Sequence, residues 1–197
     1  MPERLDNRMR DRSFIPQWLK PWDERTSLSY HTVSRGLSRI CRYGGRTPRW
    51  YSVARHSRLV SHLLPSEATP RQHLWALLHD AHECDIGDIL RPLEQSLDHH
   101  CRECIRLKRM TIDAVLCDLL GVQVTDADRE VVQVADDHAC FPEIRLLDEC
   151  DSVINDALQG NPEAAYELSV LGRPEIDAAD WREAWTLWCG AAEAVAE

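Results

Sequence analysis

The chain has 197 residues, 44% of them hydrophobic, and a formal net charge of -10 at pH 7. This length supports one sizeable core more readily than two independent small ones. The acidic balance argues against binding to a nucleic-acid polymer, because neutralising a phosphate backbone needs an extended basic face. No apolar run reaches the roughly 20 residues of a membrane span, and the charged N-terminal segment lacks the apolar stretch of a secretion signal. We therefore expect a cytoplasmic protein without a membrane partner.

The first 27 residues are polar, with prolines and tryptophans interspersed. This composition predicts an N-terminal arm over residues 1–27 that docks on the body of the protein or on a neighbouring subunit. Residues 28–197 are then expected to form the single domain.

Helical periodicity runs through that domain, with almost no strand signal, so we predict an all-α helical bundle. The predicted helices cover 28–43, 51–64, 70–84, 93–120, 126–139, 144–158 and a C-terminal helix over 178–197. The pair Gly44-Gly45 is a C-cap and turn signal, Pro70 suits the first turn of a helix, and Pro142 predicts an interruption.

The C-terminal helix carries Trp181, Trp185 and Trp188 at spacings of four and three, which place them on one face. Such a stripe is typical of core or of a subunit contact. Together with the tryptophans of the arm, it predicts a homo-oligomer.

Eight cysteines are scattered along the chain, and reduced thiols are the expectation for a protein of intracellular character. The segment DHHCREC brings Cys101 and Cys104 close to two histidines, which is half the spacing of a zinc site. Since no second pair completes a tetrahedron, we expect two ordinary helix thiols there.

Histidine and aspartate at four positions suggest a single divalent cation. His79 and Asp80 are adjacent after an apolar run, and His56 and Asp136 lie on other predicted helices. Imidazole with carboxylate suits a borderline cation that keeps positions open for water and substrate. Asp137 is a rival to Asp136. Glu83 falls one helical turn after His79, on the side of the ion.

These residues occur in a recognisable order. His56, His79-Asp80 and Asp136 resemble the HD-domain phosphohydrolase superfamily, and HDAHECDIGDILRP is similar to the HDAxExxxGDxxxP segment of its 5'-deoxynucleotidase branch. The segment LSRICRYGGRTPRWYSVARHS is similar to phage-type relatives, among them dATP triphosphohydrolases. The likeness covers about Val33 to Arg145.

The resemblance implies a role for each matched residue. The metal ligands would be His56, His79, Asp80 and Asp136. The catalytic carboxylates would be Glu83, beside the scissile phosphate, and Asp88, near the deoxyribose 3'-hydroxyl. The substrate-binding positions would be Arg42 for phosphate, Tyr43 for the sugar or base, Gly44 at the purine edge and Pro92 in the pocket wall. Glu143 and Arg145 also match family positions, although a structural ion pair explains them equally well.

The sequence therefore predicts a hydrolase that cleaves a deoxynucleotide at the 5'-oxygen with Co, Mn, Zn, Ni or Fe as cofactor. Arginines are concentrated between residues 35 and 58, at the expected pocket mouth, which favours a purine deoxynucleoside triphosphate such as dATP, cleaved to deoxynucleoside and triphosphate. One alternative is a 5'-deoxynucleotidase that acts on monophosphates. An alternative from another class is a non-catalytic nucleotide-binding or nucleotide-sensing protein on the same fold.

Overall fold

The computed structural model describes residues 29–47, 50–148 and 173–196; within its last two helices it describes only the backbone of residues 142, 144–148, 195 and 196. The described residues are mostly helical and contain no β-strand, only an isolated bridge between Cys41 and Ser52. The all-α prediction is confirmed for the part of the chain that the structure describes. The predicted arm, residues 1–27, lies outside the described residues.

Eight α-helices follow one another in the described ranges. Their bounds are α1 Tyr30–Leu37, α2 Val53–Leu63, α3 Pro70–Leu78, α4 Glu83–Ile86, α5 Arg91–Ser96, α6 His99–Leu120, α7 Asp126–Asp148 and α8 Pro174–Ala196, with a 3-10 turn at Arg42–Gly45 between α1 and α2. None of these helices is long and apolar enough to cross a membrane.

Helices α2 and α3 form the centre of the bundle. Both pack against each other, against α7 and against α8, and α1 packs on α8. The side chains of Leu77 and Leu78 from α3, Ile112 and Leu116 from α6, and Trp181 from α8 are buried together in the core. The helices that carry or precede the predicted metal ligands are therefore packed against neighbouring helices at the centre of the bundle.

Local capping explains where several helices begin. Ser52 is the N-cap of α2, Thr69 closes a capping box with Gln72 ahead of Pro70, and Asp98 caps α6. Each side-chain oxygen accepts a backbone N–H that has no partner within the helix, which fixes the start of the helix.

Two predicted helix ends were wrong, and one predicted helix is divided in two. The first helix ends at Leu37 instead of residue 43, because the chain becomes extended at Cys41 and then turns through Arg42–Gly45. The third ends at Leu78 instead of residue 84, because the backbone tightens into a turn whose hydrogen bonds join residues three apart before α4 begins. The predicted helix 93–120 is two helices, separated by the extended residues Leu97 and Asp98.

The predicted break at Pro142 was also wrong, since α7 runs through it without interruption to Asp148. Proline removes one backbone hydrogen bond, and packing of the following turn can offset that loss. Glu143 supplies such packing, because it is fully buried and bonded to His56 of α2. Residues 149–158 of the predicted next helix lie outside the described residues.

The C-terminal helix begins at Pro174, four residues before the predicted start. Trp181 and Trp185 are buried in the core, and their indole rings stack with centroids 5.3 Å apart. Trp188 stacks on His73 of α3. The stripe is therefore core within this chain, and it no longer argues for a subunit contact.

Candidate metal centre and cleft

Four predicted ligand atoms converge where α2, the end of α3 and α7 meet. His56 Nε2 lies 3.2 Å from His79 Nε2, 3.4 Å from Asp80 Oδ2 and 3.0 Å from Asp136 Oδ1. His79 Nε2 lies 3.3 Å from Asp80 Oδ2 and 3.7 Å from Asp136 Oδ1. Atoms bound to one first-row cation at about 2.0–2.2 Å lie about 3.0–3.5 Å apart. The distances among His56, His79 and Asp80 match a shared ion, and Asp136 matches at His56 but lies slightly farther from His79.

Both imidazoles are oriented by hydrogen bonds on their opposite nitrogens. His56 Nδ1 lies 2.6 Å from Glu143 Oε1, and His79 Nδ1 lies 2.8 Å from the carbonyl oxygen of Ala76. Because these acceptors hold the proton on Nδ1, the lone pairs of both Nε2 atoms face each other. Such facing lone pairs repel unless a cation or a proton lies between them.

His79 and Asp80 reach this point through the backbone turn that ends α3. The sequence placed them on a continuous helix, but His79 is the residue that follows the last helical one, and Asp80 lies in the turn. Asp80 Oδ2 also accepts a hydrogen bond of 3.1 Å from Arg42. His79 and Asp80 therefore offer their ligand atoms from the end of a helix, where the directions of neighbouring side chains are less regular than within a helix.

Asp136 is favoured over its neighbour Asp137 by the geometry of α7. Asp136 faces His56, and its side chain is 20% exposed, whereas the side chain of Asp137 is 56% exposed and lies 3.8 Å from Arg91. Successive helical residues point about 100° apart, so only one of the two can face the ligand cluster.

Electrostatic interactions among these groups shift several pKa values. Burial opposes the charge of His79, but Asp80 and Asp136 outweigh it and raise the pKa of His79 well above its usual value. Burial likewise opposes ionisation of Asp80 and Asp136, yet the two histidines lower both carboxyl pKa values. Both carboxyl groups are therefore ionised at neutral pH, which is the form that can bind a cation.

Glu143 is the residue that the sequence reasoning undervalued. Its side chain is fully buried, and it accepts hydrogen bonds from His56, from the Tyr43 hydroxyl and from Tyr51. Arg42 Nε lies 3.7 Å from its second oxygen. Its predicted partner was Arg145; the side chain of Arg145 is outside the described residues. Glu143 therefore links a metal ligand to both substrate-binding candidates on the turn before α2.

Arg42 and Tyr43 occupy a backbone turn of unusual conformation. Tyr43 has a φ of 59° and Gly44 a φ of 60°, which is the left-handed region that favours glycine. The carboxylate of Asp88 holds this turn by accepting the backbone N–H groups of Tyr43 and Gly44, while burial raises the pKa of Asp88. A Cβ atom on Gly44 would lie 3.2 Å from Leu90. Gly44 therefore allows close packing of the turn on the cleft wall.

A cleft of about 670 Å³ opens beside the ligand cluster. Eight of the candidate site residues line it: Arg42, Tyr43, His79, Asp80, Glu83, Asp88, Pro92 and Asp136. His56 lies behind the wall, and Gly44 packs against Leu90. Helices α5, α6 and α7 form much of the rest of its wall.

Glu83 is buried in this cleft with a side chain that is 7% exposed, and its Oε2 has no hydrogen-bond partner among the described residues. Burial, Asp80 and Asp88 together raise the pKa of Glu83 to about 9. In the metal-free protein this carboxyl therefore carries a proton at neutral pH and can donate it. A cation bound nearby would lower the pKa again.

The source of positive charge in the cleft differs from the sequence prediction. Of the arginines between residues 35 and 58 that the structure describes, only Arg42 lines the cleft. Arg55 instead bonds to Asp177 of α8. The other arginines of the cleft are Arg91, Arg109 and Arg129, which come from α5, α6 and α7. Only a folded structure could bring these distant residues to one wall.

Comparison with known proteins finds relatives of undetermined activity. The chain is 38% identical over 100 residues to the uncharacterized protein YfdR of Escherichia coli strain K12, a match that covers 50% of each chain. It is 39% identical over 76 residues to the uncharacterized protein RCAP_rcc00048 of Rhodobacter capsulatus, covering 36% of this chain and 38% of the relative. The matches thus span half or less of the curated relatives' length, and no family model matches the chain.

Proposed function

We propose that this chain is a metal-dependent phosphohydrolase of the HD-domain type that cleaves deoxynucleotides at the 5'-oxygen. The carrying observation is the convergence of His56, His79, Asp80 and Asp136 on one point at the wall of the cleft. The two Nδ1 hydrogen bonds that hold both Nε2 atoms toward that point support a bound ion over a chance cluster.

A bound divalent cation would lower the pKa of a water molecule and screen phosphate charge. The residues around it supply the remaining requirements. Arg42 can hold a phosphate with its planar guanidinium, and its contact with Asp80 places it beside the ion site. Glu83 is positioned to orient the attacking water or to give a proton to the leaving oxygen. Tyr43 and Asp88 flank the region where a sugar would lie.

Within this class, we propose a purine deoxynucleoside triphosphate, dATP or dGTP, as the substrate, with deoxynucleoside and triphosphate as products. The cleft of about 670 Å³ is larger than one phosphate needs, and Arg42 shares it with arginines from α5, α6 and α7. Arg109 is paired with Glu94 at 2.9 Å, and Arg91 lies 3.8 Å from Asp137. Arg129, whose guanidinium lies over the Trp75 ring at the cleft wall, is therefore the better candidate for the far end of the substrate. A deoxynucleoside monophosphate, held by Arg42 alone, is the alternative.

The test is a panel of deoxynucleoside triphosphates, monophosphates and ribonucleotides, with the products separated by ion-exchange chromatography. We expect triphosphate release from dATP or dGTP, dependence on added Mn²⁺ or Co²⁺ after chelation, and loss of both bound metal and turnover in His79→Ala. The exposed His62 provides the matched control His62→Ala, which should keep both.

Each other outcome of that panel has a distinct meaning. Orthophosphate from monophosphates alone would assign a 5'-deoxynucleotidase. Nucleotide binding without hydrolysis would favour the non-catalytic nucleotide-binding alternative. Full turnover by protein that contains no metal would overturn the proposal.

A further inference from the structure

A second group of potential metal ligands lies next to the first. One ligand atom from each of Asp80, His82 and Glu83 lies within 4.8 Å of the other two. All three residues line the cleft, and Asp80 is the only one that the group shares with the His56 and His79 cluster. The sequence reasoning gave His82 no role.

His82 is held in the manner typical of a metal-binding histidine. Its side chain is largely buried, and Nδ1 lies 3.0 Å from Asp113 Oδ1 on α6. With Nδ1 engaged by a carboxylate, Nε2 is the nitrogen that can accept a cation. His56 and Glu143 form the same arrangement at the first cluster.

Glu83 provides a second, independent indication of a ligand. It is more than nine-tenths buried, and the structure pairs its Oε2 with no donor among the described residues. A buried carboxyl oxygen without a hydrogen-bond partner is costly, so such atoms usually have an ion or a water molecule beside them. A cation held with Asp80 and His82 would satisfy this oxygen.

The charge of the cleft points the same way. Acidic side chains outnumber arginines on its walls; they are Asp80, Glu83, Asp88, Glu94, Asp113, Asp136 and Asp137 against Arg42, Arg91, Arg109 and Arg129. One divalent cation therefore leaves the cleft negative if all these carboxyls are ionised. An anionic substrate would enter more readily after a second cation has bound.

The geometry points to a second divalent-cation site formed by Asp80, His82 and Glu83, in which Asp80 would be shared with the first site. The inference rests on the proposed function for the first site, with which it shares Asp80. Carboxylates and imidazole together suit Mn²⁺, Co²⁺ or Zn²⁺. Two ions that share a carboxylate typically lie about 3.5–4 Å apart and can contact neighbouring oxygens of one phosphate.

The metal content of the protein tests this directly, without reference to activity. Chelated and dialysed protein is titrated with Mn²⁺ alone, and the bound ions per chain are measured by calorimetry and elemental analysis. We expect two ions per chain in the unmodified protein and one in His82→Ala, with the control His62→Ala retaining two. Electron paramagnetic resonance should show exchange coupling between the two Mn²⁺ ions, and His82→Ala should lose it.

Removing His82 leaves Asp113 buried without its partner, so a variant that keeps the imidazole is needed as well. Asp113→Asn retains His82 but removes the carboxylate that orients it, and it should weaken the second ion about 10- to 100-fold while the first binds normally. One ion per chain at saturating Mn²⁺, or two in folded His82→Ala, would overturn the second site alone. No bound ion at all would also overturn the proposed function.

Discussion

Glu143 is a single buried side chain that connects several residues of the candidate site. It orients His56, accepts a hydrogen bond from the hydroxyl of Tyr43 and lies close to Arg42. The candidate metal ligands and the candidate substrate-binding residues therefore share one carboxylate. Burial opposes its ionisation, but His56 and Arg42 lower its pKa below the usual value. It therefore stays charged and can hold the proton of His56 on Nδ1.

Replacing Glu143 by glutamine should weaken metal binding while the fold survives. Glutamine has almost the same shape, but its neutral amide orients an imidazole less well, and loss of such a partner typically costs about 10- to 100-fold in metal affinity. Competition with a chelating dye measures the change. Glu130→Gln, at an exposed position of the same helix, is the control and should bind metal normally. Unchanged affinity in Glu143→Gln would show that Glu143 does not position His56.

A second residue-scale prediction follows from the raised pKa of Glu83. A carboxyl with a pKa of about 9 in the folded protein and 4.5 in the unfolded chain keeps its proton up to a higher pH when the protein is folded. The folded state then binds more protons between these values, so the free energy of unfolding of the metal-free protein falls as pH rises through this window.

Glu83→Gln should remove that contribution. Urea denaturation with a chelator present, at about pH 5 and at about pH 8, measures it: the variant should gain stability relative to the parent protein as the pH rises. The exposed Glu67 supplies the control Glu67→Gln, which should follow the parent protein at both pH values. A parallel pH dependence in Glu83→Gln and the parent would contradict the shifted pKa.

At the scale of the helices, the sequence predicted which segments are helical better than it predicted the residues at which each helix begins and ends. Periodicity and caps identified α2 within two residues at its start and one at its end. The sequence pattern failed where tertiary contacts decide whether a helix continues. At Pro142 the helix continues, and the next residue, Glu143, forms a buried hydrogen bond with His56. The break at Leu97 and Asp98 was missed because an aspartate N-cap inside a polar run gives little contrast.

The candidate site shows the same division. The ligand set came from residue order and resemblance, and the structure brings all four ligands together. The arginines of the far wall, the pairing of His82 with Asp113 and the linking role of Glu143 all depend on contacts between distant helices. No local pattern reports such contacts.

Helix α8 supports the site from behind. Trp181 is fully buried and its indole donates a 3.0 Å hydrogen bond to the carbonyl of Leu77, two residues before His79. Asp177 accepts a 2.6 Å hydrogen bond from Ser52 and a 3.1 Å bond from Arg55 at the start of α2. The C-terminal helix thus fixes the ends of both helices that carry the histidines.

Trp181→Ala should lower the free energy of unfolding by about 3–5 kcal/mol, because it opens a large cavity and leaves the Leu77 carbonyl without its donor. Chemical denaturation followed by circular dichroism measures the change. Leu187 lies on the same helix with an exposed side chain, and Leu187→Ala should change stability by less than about 0.5 kcal/mol. Equal effects of the two substitutions would mean that α8 does not pack as described.

At the scale of the whole molecule, a homo-oligomer remains the expectation, but for a different reason. The tryptophans of α8 are covered within the chain, whereas other large apolar side chains are exposed on α5, α6 and α7: Leu93, Leu107, Met110, Val134 and Phe141. We expect a second chain to cover part of this surface, because contiguous exposed apolar patches mark protein interfaces.

We expect a mass in solution that is a multiple of 22.6 kDa. Light scattering coupled to size-exclusion chromatography measures it at micromolar concentration. Replacing the exposed Phe141 by glutamate should shift the equilibrium toward the single chain if α7 forms part of the interface. A single-chain mass for the parent protein would contradict the prediction.

The distances along the chain between contacting residues have a kinetic consequence. His56 and Glu143 are 87 residues apart in sequence, and Ser52 and Asp177 are 125 apart. Contacts that close such long loops cost chain entropy and slow folding. We expect the complete ligand cluster, which needs several such loops closed at once, to form only after the transition state. A cation that recognises only the completed cluster would then leave the folding rate almost unchanged and act mainly by slowing unfolding, so metal would extend the lifetime of the native protein.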